Sequence, residues 1–190
     1  LINDEDIKEV IQQTKIDNLY VVPATISLAG AEIELVSTIS REVRLKKALQ
    51  EVKERFDFVV IDCPPSLGLL TINALTAADA LIIPVQCEYY ALEGLSQLLS
   101  TVRLVQKHLN KSLMIDGVLL TMLDARTNLG IQVIDEVKRY FQDKVYHSII
   151  PRNVRLSEAP SHGKPIIIYD AKSRGAELYL EFAREVIKNG

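Results

Sequence analysis

The chain has 190 residues, 48% of them hydrophobic and 25% charged, enough to bury a core of its own, and a single domain over 1–190 is expected. A formal net charge of −3 excludes a broad cationic surface, so any contact with DNA has to be a local patch. Its two cysteines, Cys63 and Cys87, lack CxxC spacing and histidine partners, which excludes a disulfide framework or zinc site and fits the cytoplasm.

In chain order, short apolar runs rich in β-branched residues alternate with stretches of helical period. Strands are predicted at 19–23, 56–62, 80–85, 117–122, 145–150 and 166–169. Helical spacing marks 40–55 (Val43, Ala48, Leu49, Val52) and 91–109 (Leu95, Leu98, Leu99, Val102, Val105). It returns at 128–141 (Ile131, Ile134, Val137, Phe141), and a last helix spans 173–188. Runs such as Val59-Val60-Ile61 and Leu81-Ile82-Ile83 read as strands buried on both faces of a parallel sheet. The alternation predicts an α/β fold with a mostly parallel, twisted sheet and helices on both faces. No apolar run approaches the ~20 residues of a membrane span, and no export leader is visible. The start at Leu1 suggests a fragment or a processed product.

Three segments carry chemistry. In Phe58-Val-Val-Ile-Asp62-Cys-Pro64-Pro65-Ser66, an apolar run ends in one carboxylate and turns at two prolines. Ligands of open α/β sheets bind beyond the carboxyl ends of the strands, where Asp62 suits Mg²⁺ beside a phosphate. It equally suits the cap of a helix beginning near Leu67. In Thr121-Met122-Leu123-Asp124-Ala125-Arg126-Thr127-Asn128, Arg126 lies near the same rim. It could reach a phosphate, or stay solvated while Asp124 or Thr127 caps the next helix. The third segment runs from Ile150 to Pro165 with Pro151, Arg152, Asn153 and Arg155. Its bends can present backbone groups to a flat ring and its arginines can meet phosphates; a loop this long is usually functional. Tyr89 and Tyr90 form either an interface edge or a packed pair, and the three histidines, His108, His147 and His162, have no ligand set beside them.

Taken together these segments resemble the ParA/Soj-type partition ATPases of the deviant-Walker P-loop superfamily. Pro23-Ala-Thr, Leu28-Ala-Gly-Ala-Glu32-Ile-Glu-Leu35, Asp62-Cys-Pro-Pro-Ser-Leu-Gly68, Pro84-Val-Gln-Cys-Glu-Tyr-Tyr90, Leu123-Asp-Ala-Arg-Thr-Asn128 and Ile150-Pro-Arg-Asn-Val-Arg155 occur in that family's order across the chain. The resemblance implies an ATP- and Mg²⁺-dependent sandwich homodimer, nucleoid-associated, that binds DNA without sequence preference and is stimulated by a ParB-type partner. By the same resemblance Asp62 would hold Mg²⁺ through water, and Pro64 and Pro65 would form the switch. Met122, Pro151, Arg152 and Asn153 would border the nucleotide, and Arg126 and Arg155 would bind DNA. The departure is that none of the eight glycines lies in a GxxxxGK[ST] loop, which would cradle the phosphates. The fold is therefore expected to lack its first strand, P-loop and first helix, with no catalytic residue in these 190 positions and no hydrolysis by them alone. Alternatives are a MinD-like membrane-cycling ATPase, which the mixed charge of the last helix disfavours, and a non-hydrolysing dimerisation or DNA-binding module.

Overall fold

In a computed structural model, which describes residues 1–2, 5–88 and 91–189, the chain forms two compact units. One is Leu1–Asp79 with Leu98–Leu113, the other Ala80–Gln97 with Met114–Gly190.

The first unit is built from short elements. Asp6 accepts the Lys8 amide at 2.9 Å and starts α1 (Ile7–Val10). β1 (Gln12–Gln13) and β2 (Tyr20–Val21) form an antiparallel ribbon. α2 (Ala31–Glu34), α3 (Arg44–Gln50) and α4 (Leu69–Ala77) come next. α4 buries Thr71, Asn73, Ala74, Leu75 and Thr76, so its polar side chains need partners inside the protein. Asn73, fully buried, donates to the Arg41 carbonyl at 2.7 Å and the Leu69 carbonyl at 3.0 Å, and accepts from the Leu45 amide at 3.1 Å. One side chain thereby ties the start of α3 to α4. Asn110 works similarly, donating to Leu75 and Ala78 carbonyls at 3.0 and 2.7 Å.

The second unit holds a parallel sheet ordered β3 (Ala80–Gln86), β4 (Met114–Leu123), β5 (Val145–Pro151). The central strand is buried on both faces, with Val118, Leu119 and Leu120 all shielded, which is why its sequence is continuously apolar. α5 (Ala91–His108) connects β3 to β4, contributing 91–97 to this unit and 98–108 to the first. Between β4 and β5 lies α6 (Asn128–Phe141); Thr127 accepts the Gly130 amide at its start. α7 (Val154–Glu158), α8 (Ile166–Tyr169) and α9 (Arg174–Asn189) complete the chain. Leu119, Tyr146, Ile150 and Leu178 form a core cluster, with Phe182 and Val186 of α9 packed on it.

The α/β class and parallel sheet stand as expected, and three local expectations are corrected. Residues 56–62 form no ladder: Phe58, Val59 and Val60 are exposed, because no described strand lies alongside to pair with them. Residues 166–169 are a helical turn, α8, nucleated by Pro165, whose carbonyl accepts the amides of Ile168 and Tyr169 at 2.9 Å each. A four-residue apolar run does not distinguish the two states. The helix expected over 40–55 is broken into α3 and flanking 3-10 turns.

Between the pairs Val118↔Val145 and Leu120↔Ile149, β4 advances two residues and β5 four, so β5 carries a bulge. Glu185 of α9 fills it, accepting the amides of His147 and Ser148 at 2.8 Å each and the Ser148 hydroxyl. Partial burial alone would raise the carboxyl's pKa, but these donors outweigh it and hold the group below its ordinary value. Its stabilisation is therefore full above the unfolded pKa near ~4.3 and is lost as pH falls through the folded one. Glu185→Ala is expected to cost about 2 kcal/mol at pH 7. The gap to the wild type should narrow in acid, as thermal melts at pH 7 and pH 3 would show; an equal gap at both rules out a charged interaction.

Candidate functional site

The carboxyl ends of the three parallel strands bring several of the expected residues to one rim. Leu123 at the end of β4 pairs with Pro151 at the end of β5, and the Arg152 amide donates to the Leu123 carbonyl at 3.0 Å. From β3, the Cys87 amide donates to the Thr121 carbonyl at 3.0 Å. Arg152 and Glu88 form an ion pair linking the loops after β5 and β3. Met122, Pro151, Arg152 and Asn153 are thus neighbours, as a common ligand would require. Burial raises the Cys87 thiol pKa, so this cysteine stays protonated and unreactive.

Met122 has a left-handed backbone, φ 54°. The cause is a second irregularity: from Leu120↔Ile149 to Leu123↔Pro151, β4 advances three residues while β5 advances two. The extra residue is accommodated in a bulge, which bends the strand and re-aims the residues beyond it. A left-handed methionine costs ~1–2 kcal/mol. Among the described residues, four non-glycines have positive φ, and Met122 is the one inside a strand. Bulges and strain of this kind gather beside ligand sites. Its half-exposed, flexible thioether is suited to lie against a flat apolar ring.

Asn153 caps α7, accepting the Arg155 amide at 2.9 Å. The loop after β4 repeats this local geometry: Asp124 accepts the Arg126 amide at 3.1 Å. Asp124 also takes the Arg126 guanidinium in a two-pronged contact, Nε at 2.9 Å and Nη2 at 2.7 Å. That side-chain pairing, with the amide bond, holds the Asp124 carboxyl far below the usual carboxylate range. Arg126 remains 88% exposed. Thr127, not Asp124, caps α6. Arg155, 56% exposed, donates to Glu158 at 2.9 Å and approaches Asp170 at 3.5 Å. The Tyr169 hydroxyl donates to the same Glu158 oxygen at 3.0 Å, and His162 stacks on the Tyr169 ring at 5.0 Å. The arginines were visible in the sequence; their neighbours were not, because Glu88 reaches Arg152 from beyond β3, Tyr169 and Asp170 come to Arg155 only on folding, and Glu158 meets it only through the turn of α7.

Asp62, Pro64 and Pro65 belong to the first unit and are exposed on an irregular turn. α4 starts from Gly68 with no side chain capping it, so the capping alternative for Asp62 does not hold. Among the described residues no three or more His, Cys, Asp or Glu side chains cluster as a metal site. A lone exposed carboxylate nevertheless suits Mg²⁺, which keeps several waters and takes one or two carboxylates beside phosphate oxygens. Glu32 abuts this turn: a Cβ on Gly68 would lie 2.1 Å from its Oε1. Tyr89 and Tyr90 lie outside the described residues, and no described helix is long and apolar enough to cross a membrane.

Residues 1–115 match the family model of an AAA domain. The sporulation initiation inhibitor protein Soj of Bacillus subtilis is 75% identical over 190 residues, which is all of this chain and 75% of Soj. The chromosome partitioning protein ParA of Myxococcus xanthus is 56% identical over 99% of this chain and 66% of its own length. Among solved structures, cobyrinic acid a,c-diamide synthase from Mycobacterium smegmatis with bound ATP analog and magnesium superposes with a TM-score of 0.83. It is 37% identical and matches 97% of this chain and 68% of its own.

Proposed function

The chain belongs to the Soj/ParA family of chromosome-partitioning ATPases, and from that membership we propose that the full-length protein segregates DNA by an ATP-driven cycle. A dimer with ATP and Mg²⁺ bound would hold DNA without sequence preference, and hydrolysis, stimulated by a ParB-type partner, would release it. The observation that carries the DNA half of this reading is the placement of two exposed arginines just after adjacent parallel strands, Arg126 in the turn after β4 and Arg155 in the first turn of α7 after β5. Two such cations per subunit, doubled by dimerisation, give an acidic chain a phosphate-binding patch whose affinity falls with salt.

The nucleotide half is supported by the bulged rim of Met122, Pro151, Arg152 and Asn153, where a planar base could rest. Asp62 would hold Mg²⁺, which when bound neutralises charge developing on the phosphates. Pro64 and Pro65 make the adjoining turn stiff enough to act as a switch between states. The 190 residues contain no GxxxxGK[ST] sequence, so hydrolysis is proposed for the full-length protein and not for these residues alone. With the full-length protein, hydrolysis should stop when EDTA removes Mg²⁺, and retention on duplex DNA should require ATP. DNA retention indifferent to nucleotide would contradict the cycle.

A further inference from the structure

Both arginines already hold a carboxylate. The two oxygens of Asp124 meet Nε and Nη2 of Arg126, the same two-pronged match that a phosphate makes with guanidinium. Glu158 meets Nη1 of Arg155, Asp170 lies 3.5 Å from its Nε, and Tyr169 steadies Glu158. The turn after β4 and the start of α7 share one hydrogen bond: the side chain of residue i accepts the amide of arginine i+2, through Asp124 in one and Asn153 in the other. Asn153 shows that a neutral carboxamide suffices to make the turn. The charge on Asp124 is therefore not required by the turn, and its second oxygen is committed to the guanidinium.

We propose that Asp124 and Glu158 act as internal substitutes for phosphate, holding Arg126 and Arg155 ready but partly neutralised, and so limit how tightly this face binds DNA. This rests on the reading that the two arginines contact DNA. A phosphate must displace or share each carboxylate, so part of the arginine's attraction is used up before DNA arrives. Moderate affinity of this kind suits a protein that has to leave DNA in every cycle.

Asp124→Asn keeps the acceptor for the Arg126 amide and removes the charge, so the loop should survive it. Binding is measured by fluorescence anisotropy on a labelled duplex of arbitrary sequence, using the full-length protein with ATP and Mg²⁺ over a salt series. Asp124→Asn should bind about two- to fivefold more tightly, and its plot of log K against log salt should steepen by up to about one unit. Glu158→Gln, which retains an acceptor for Tyr169, should shift both in the same direction. The gain from Asp124→Asn should vanish when Arg126→Ala is also present, since a pairwise effect needs both partners.

Three results would overturn the proposal. Binding by Asp124→Asn that is unchanged or weaker would mean that the carboxylate does not compete, or that it orients Arg126 for DNA. A gain that persists without Arg126 would mean a general charge effect. If Arg126→Ala leaves DNA affinity unchanged, the DNA reading falls and this inference with it. Weakening by Arg126→Ala without a gain from Asp124→Asn removes this inference alone.

Discussion

Reversing the charge at either arginine, by Arg126→Glu or Arg155→Glu, is expected to weaken DNA binding by the full-length protein about 10- to 100-fold. That corresponds to the ~1.5–3 kcal/mol a charged hydrogen bond carries. The loss should be uniform across DNA sequences, because phosphate contacts position a duplex without reading it. The slope of log K against log salt should fall by about one for each arginine–phosphate pair removed, and somewhat more for a reversed charge. Thermal stability is the control. Arg126 pairs with a residue two positions away and is 88% exposed, so its replacement should leave the melting temperature nearly unchanged. Arg155 bridges to Asp170, and a drop of about a degree or two is expected there. A large fall in melting temperature with DNA affinity intact would identify these side chains as loop supports and remove them from the DNA-binding face.

The largest loss of stability is expected at Asn73. It lies fully buried on α4 and makes three hydrogen bonds, two to carbonyls of Arg41 and Leu69 and one from the Leu45 amide. Asn73→Ala removes all three and leaves the Arg41 carbonyl and the Leu45 amide without this partner in a half-buried position. Unsatisfied buried groups cost ~1–3 kcal/mol apiece; allowing for relaxation, about 3 kcal/mol is expected in total. In a chain of this size that lowers the melting temperature by roughly 6–12 °C. Asn73→Asp should do no better: it keeps an acceptor for Leu45 but turns a carboxylate toward two carbonyls. Calorimetry on both variants decides it, and an Ala variant within about 1 kcal/mol of the wild type would show that α3 is held to α4 by apolar contact alone.

Legibility in the sequence tracks burial. α6 over residues 128–141 was legible from one apolar stripe, and β3 and β4 from apolar runs, β4 being covered on both faces; β5 carries His147 and Ser148 within its run and buries mainly one face. Residues 56–62 carry the same signal, Val59-Val60-Ile61, yet form no strand. An apolar run records what a segment can bury, and a ladder also requires a neighbour to pair with. Ile166–Tyr169 has the pattern of a short strand, and it is Pro165 that turns it into a helical turn. In the site, Arg126, Arg155 and the Pro151–Asn153 turn were legible as cations and bends after strands. Their carboxylate partners were not. The Arg155–Asp170 contact joins α7 to the residue just past α8, and even the close pair Asp124 and Arg126 depends on a turn whose geometry no periodicity encodes.

The bulge at Met122 makes this stretch of chain sensitive to its length in a way that it is not to its composition. Side chains alternate across a strand with a period of two, so one additional residue would shift every later position to the opposite face unless a bulge absorbs it, as here. Any replacement at 122 leaves the number of residues intact: Leu123 still meets Pro151, and the Asp124–Arg126 turn still leaves the sheet on the same side. Loss of a single residue between Leu120 and Leu123 would straighten the ladder and relieve the left-handed backbone. It would also remove the bend, so that Leu123 still faces Pro151 while the arginine loop leaves a more regular strand at a different angle.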